Sequence, residues 1–161
     1  MNFVNLSAGL IAVLFAVPAA ADTGAWLDRC LLQSKVNKQK SKREALDVTG
    51  VSCAATALDI CQFDADPKTC FGTLTSDLEA RAATLMASFP ASIEDTNASD
   101  FKKKSYARLL KEHKNPSVYP ECPLALVPFQ CEAFKAAMAF GSALSILDYI
   151  AFVYEEVEEK K

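Results

Sequence analysis

Residues 66–90, DPKTCFGTLTSDLEARAATLMASFP, decide the fold class. Asp66 is an N-cap residue, and Pro67 after it occupies the first helical position, where a missing N–H costs nothing. Phe71, Leu74, Leu78, Ala82, Leu85 and Phe89 then recur three or four residues apart, which is the period of an amphipathic helix. Asp77, Glu79 and Arg81 fall off that stripe and belong to a solvated face. Pro90 ends the element.

Working outward, the period stays helical. Residues 52–62 predict a shorter Ala-rich helix, joined to the first by the polar link Phe63-Asp64-Ala65-Asp66, so the two form an αα-hairpin. Before them, residues 26–36 predict a helix with Trp26, Cys30 and Leu31 on one side, followed by a Lys-rich stretch interrupted at Gly50. Residues 91–99 read as a surface loop, and Ser99 or Asp100 caps a helix running to about Glu112. Pro116, Pro120 and Pro123 exclude helix from the next connection. Residues 133–154 carry only Lys135 and Asp148 as charges. Those two bracket twelve uncharged residues, fewer than the roughly 20 a membrane span needs, so a central helix wrapped by the others is favoured over transmembrane insertion. Gly141, Ser142, Ala143 and Ser145 are small enough to admit close neighbours. The expected architecture is all-α: a small disulfide-stapled helical bundle with a long apolar C-terminal helix.

The N-terminus has a different task. An apolar run from Phe3 to Val17 ends in Pro18-Ala19-Ala20-Ala21 before the first acidic residue, Asp22, which is the pattern of a cleavable signal peptide spanning residues 1–21. Cleavage leaves a single helical domain, residues 22–161, periplasmic or secreted. All six cysteines, Cys30, Cys53, Cys61, Cys70, Cys122 and Cys131, lie downstream of it, and an even count behind an export signal reads as a disulfide framework. Cys53 and Cys61 are eight residues apart on one helix, roughly 12 Å at 1.5 Å per residue, beyond the reach of a bridge. Cys61 and Cys70 face one another across the hairpin turn. That leaves Cys53 for Cys30, and Cys122 for Cys131 if the chain reverses at Pro128. Sequence excludes the Cys53–Cys61 pair and leaves the remaining connectivity open.

Charge is unevenly spread. Residues 51–100 hold two basic and eight acidic side chains, net −6, whereas residues 22–50 are net +2 and residues 101–121 net +4. The basic stretches, Lys35 to Arg43 and Lys102 to Lys114, read as solvated faces, because a chain of net charge −3 is not a dedicated nucleic-acid binder. No GxSxG, HExxH, P-loop or EF-hand pattern occurs, and no CxxC pair points to zinc. The only histidine, His113, sits among lysines at a helix end and is read as interacting with terminal carbonyls rather than as a catalytic base. Asp64 and Asp66, in a tight interhelical turn, are read as caps. No catalytic residue, cofactor or metal is expected, and the chain is read as a binding protein rather than an enzyme.

The order Cys30, Val51-Ser52-Cys53-Ala54-Ala55, Cys61, Lys68-Thr69-Cys70 and Leu78-Glu79-Ala80-Arg81 resembles small exported bacterial proteins related to the LprI-type lysozyme inhibitors, over residues 26–89. The resemblance implies short helices tied by cysteines ahead of an acidic amphipathic helix, and it implies inhibition of a cationic cell-wall hydrolase such as lysozyme. No inhibitory residue carries over. Asp77 and Glu79, on the expected solvent face of the acidic segment, are the candidate partner-binding residues. The alternative is an envelope accessory protein that binds a lipid or small apolar ligand between helices.

Overall fold

The computed structural model describes residues 22–40, 49–115, 121–122 and 125–158, and these form five helices: α1 (Thr23–Lys40), α2 (Thr49–Gln62), α3 (Pro67–Ser88), α4 (Asp100–His113) and α5 (Pro128–Glu158). No strand occurs among the described residues. The signal peptide expected at 1–21, the link at 41–48 and the proline-rich connection at 116–120 lie outside them, as do the side chains of the first Lys-rich stretch.

Each helix start has a local cause. Asp22 accepts the Ala25 N–H at 3.1 Å and its carbonyl accepts the Trp26 N–H at 2.9 Å, so α1 begins three residues before its expected start at Trp26. Asp66 caps α3 through the Thr69 N–H at 3.2 Å with Pro67 in the first turn, as the sequence implies. Ser99 is the N-cap residue of α4 but makes no side-chain cap bond. Pro128 keeps Val127 out of helix, as expected, and Cys122 meets Cys131 across the turn before it. Pro128 also opens α5, whose Cys131 N–H already donates to the Val127 carbonyl at 3.0 Å, because proline restricts the residue before it while fitting the first helical turn.

α5 is the axis of the packing. It touches α2, α3 and α4, most extensively α3, while α1 leans on α2 and α3. The α3 stripe buries Phe71, Leu74, Leu78 and Ala82 against Ala133, Ala136, Ala137, Phe140 and Ala143 of α5, and α2 adds Cys53, Ala54, Ala57 and Cys61. The rings of Phe71 and Phe129 meet at 5.7 Å where α3 and α5 begin. Small residues let the helices approach. A Cβ on Gly50 would stand 2.6 Å from Leu144 Cδ1, and one on Gly141 would stand 3.2 Å from Val51 Cγ2. Gly50 therefore does not interrupt the Lys-rich stretch as expected. It lies inside the first turn of α2, close against Leu144 of α5.

A second, smaller core joins α4 to the far half of α5 through Tyr106, Ile146 and Val153. Tyr106 donates to the Pro90 carbonyl at 2.6 Å and Tyr149 to the Lys102 carbonyl at 3.1 Å. The 91–99 loop is tied into this core by Ile93, which is buried, although the residues around it are mostly exposed.

Three disulfides staple the array: Cys30–Cys53 ties α1 to α2 with Cα atoms 5.8 Å apart, Cys61–Cys70 closes the α2–α3 hairpin at 5.3 Å, and Cys122–Cys131 fastens the incoming chain to the first turn of α5 at 5.6 Å. No free cysteine remains. Thr23 at the head of α1 donates to Cys70 Sγ at 3.4 Å, since a disulfide sulfur has no proton to give. By length and composition 128–154 of α5 is apolar enough to cross a membrane. Its Ala133, Ala136, Ala137, Phe140, Ala143, Ile146 and Val153 are instead buried against the other helices.

Candidate functional site

The acidic segment divides into carboxylates that hold the fold and carboxylates that do not. Asp64 accepts the Asp66 N–H at 2.9 Å, and Asp66 accepts the Thr69 N–H. The Thr69 hydrogen bonds hold the Asp66 carboxyl below its ordinary value. Glu94 sits 3.8 Å from Lys103, whose ammonium also donates to the Glu94 carbonyl at 2.7 Å.

Asp77 is similarly committed. Arg81 donates through Nε to Asp77 Oδ2 at 2.9 Å and through Nη1 to Asp28 Oδ1 at 2.6 Å, linking α3 to α1. The Arg81 hydrogen bond, reinforced by its charge, lowers the Asp28 pKa. Of the two candidate partner-binding residues, Asp77 is thus half-buried and engaged, and Arg81 lies in this bridge rather than away from the packed face. Glu79 is exposed. The spacing of four residues between Asp77 and Arg81 was the available signal for their pairing; the contact with Asp28, 53 residues away, had none.

Asp59 on α2, Glu79 on α3, Asp95 in the following loop and Asp100 at the start of α4 are exposed, and among the described residues their side chains make no hydrogen bond or ion pair. They are the negative charge this segment has to offer another molecule. Asp59 and Glu79 sit on helices joined through Cys61–Cys70, which limits the ordering a partner would have to impose on them, whereas Asp95 and Asp100 lie beyond the bridged helices.

Two surface clefts accompany these helices. One, of about 460 Å³, lies between α1 and α2 over the Cys30–Cys53 bridge, with Trp26, Arg29, Gln33 and Thr56 on its walls. The other, of about 360 Å³, is floored by Ala91, Ala107 and Leu110 and rimmed by Lys111 and Lys114. His113 is not at an exposed helix end, as expected from its neighbours. It is half-buried against α5, with Nδ1 3.1 Å from Ser142 Oγ, and burial lowers its pKa. Among the described residues no three His, Cys, Asp or Glu side chains gather where they could hold a metal ion. Comparisons with protein-family models, with characterised proteins and with solved structures find no match to this chain.

Proposed function

We propose that this is an exported bacterial protein that acts by binding, not turnover, and that its acidic surface docks on a cationic cell-wall hydrolase of lysozyme type and inhibits it. The observation that carries the reading is the set of four uncommitted carboxylates, Asp59, Glu79, Asp95 and Asp100, the first two on helices tied by Cys61–Cys70. Complementary fields speed encounter with a cationic partner and fix its orientation. Three disulfides suit an oxidising compartment, and the apolar run and small residues at 1–21 have the pattern of an export signal. The side chains of Phe140, Leu74, Leu78 and Ala137 fill the space between α3 and α5, so surface docking is favoured over an apolar ligand held between helices.

The test uses the oxidised chain from Asp22 onward, immobilised and exposed to lysozyme at low ionic strength, with cell-wall lysis measured in parallel. Micromolar or tighter association with slowed lysis supports the proposal. Neither binding nor inhibition at micromolar concentration ends it.

A further inference from the structure

The solvent face of α4 has the opposite character. Phe101, Lys104, Ala107, Arg108 and Lys111 are exposed along one side of the helix, while Tyr106 is buried and Leu109, Leu110 and His113 are half-buried on the other. The stripe from Phe101 to Lys111 is about 15 Å long at 1.5 Å per residue. Lys104 and Lys111 make no side-chain hydrogen bond or ion pair among the described residues, and Arg108 has only Glu112, at 3.8 Å. Glu112 and the adjoining Asp100 are the acidic groups on this helix.

At the N-terminal end of the stripe Phe101 is 77% exposed. The next residue, Lys102, places its Nζ 4.1 Å from the ring centroid of Phe152 of α5, which is 55% exposed. At the C-terminal end, Lys111 and Lys114 rim the cleft floored by Ala91, Ala107 and Leu110. Cations and solvated aromatics therefore share one surface. A soluble polyanion would use the cations and leave Phe101 in water. A bilayer surface uses both, because phosphates meet the ammonium and guanidinium groups while the ring enters the boundary between headgroups and acyl chains.

We propose that this face of α4 is a peripheral docking surface for an anionic phospholipid bilayer, with Phe101 as the inserted side chain and Lys104, Arg108 and Lys111 as the phosphate contacts. α5 stays packed in the bundle and does not insert. The negative charge elsewhere on the chain opposes approach only weakly, since exposed charges are screened beyond roughly 8 Å at physiological ionic strength. Of the carboxylates proposed to meet a hydrolase, Asp100 alone lies on this helix, next to Phe101, and the test contains no hydrolase.

The oxidised mature chain is sedimented with vesicles of phosphatidylcholine and phosphatidylglycerol in equal parts, and with vesicles of phosphatidylcholine alone. Binding to the mixed vesicles is expected, weakened by about tenfold or more on neutral vesicles and in the K104E/R108E/K111E variant. F101S is expected to weaken binding several-fold and to leave its salt dependence in place. All four positions are exposed, so the helical circular dichroism of both variants should match the parent; K104Q/K111Q provides a milder charge change. E79Q should not weaken vesicle binding. Equal binding to both vesicle types, no binding to either, or indifference to the α4 charge variants overturns the proposal. Charge-dependent binding that F101S leaves unchanged also overturns it, in favour of a general polyanion surface.

Discussion

Leu78 and Glu79 are neighbours in sequence with opposite surroundings: Leu78 is 0% exposed in the core between α3 and α5, and Glu79 faces solvent. L78D would bury a carboxylate with no partner, a change expected to cost about 4 kcal/mol or more, whereas E79A should stay within about 0.5 kcal/mol. Thermal or denaturant unfolding of the two variants checks this, and equal shifts would refute the face assignment. His113 supplies a second residue-scale test. Burial depresses its pKa, so the unfolded chain takes up a proton near its ordinary value of 6.5 that the folded chain resists. The contribution to stability is complete above that value and is lost as pH falls through it toward the lower folded value. Melting temperature should therefore drop from about pH 7.5 to 5.5, and H113Q should flatten that part of the profile, since the carboxylates lowered by their partners, Asp28 and Asp66, titrate in a more acidic window. An unchanged slope in H113Q would show that another group carries the dependence.

At the scale of elements, two glycines make opposite predictions. Gly72 lies inside α3 with nothing within 4 Å of where a Cβ would stand, so G72A should stabilise the protein by about 0.5–1 kcal/mol through helix propensity and a less flexible unfolded chain. G50A should instead destabilise by about 1–3 kcal/mol, because Leu144 packs against the core and has to move to admit the new methyl. Unfolding free energies of the pair decide it, and a stabilising G50A would mean that the α2–α5 approach is looser than described. These positions also mark what the chain reveals when read alone. The α3 stripe, its Asp66 cap and the Cys61–Cys70 pairing depend on residues close in sequence, where period, capping and helix rise act directly. Gly50 and His113 depend on Leu144 and Ser142, residues of α5 that only tertiary packing brings near, so Gly50 reads as an interruption and His113 as an exposed end. The carboxylates show the same division. The caps at Asp64 and Asp66 and the i,i+4 pairing of Asp77 with Arg81 are legible within four residues, while the bridge from Arg81 to Asp28, 53 residues away, is not.

For the whole molecule, the consequence is a different choice of charges with which to test hydrolase binding. Reversing Asp77 would set two like charges four residues apart on α3 and remove one of the two carboxylates that hold Arg81, so a loss of binding could come from a disturbed α1–α3 junction. Asp59 and Glu79 avoid this, since both are exposed, make no side-chain bond among the described residues, and sit on the two helices joined by Cys61–Cys70. D59K/E79K should leave the melting temperature nearly unchanged and slow association with lysozyme by about tenfold at low salt, with a smaller effect on dissociation, because steering acts mainly on the encounter rate. The difference between parent and variant should shrink as ionic strength rises, since the Debye length falls from about 30 Å at 0.01 M salt to about 8 Å at 0.15 M. Association rates measured across that salt range give the answer. A parent protein whose association rate does not change with salt, or a variant that associates as fast as the parent at the lowest salt, would show that these carboxylates do not face the partner.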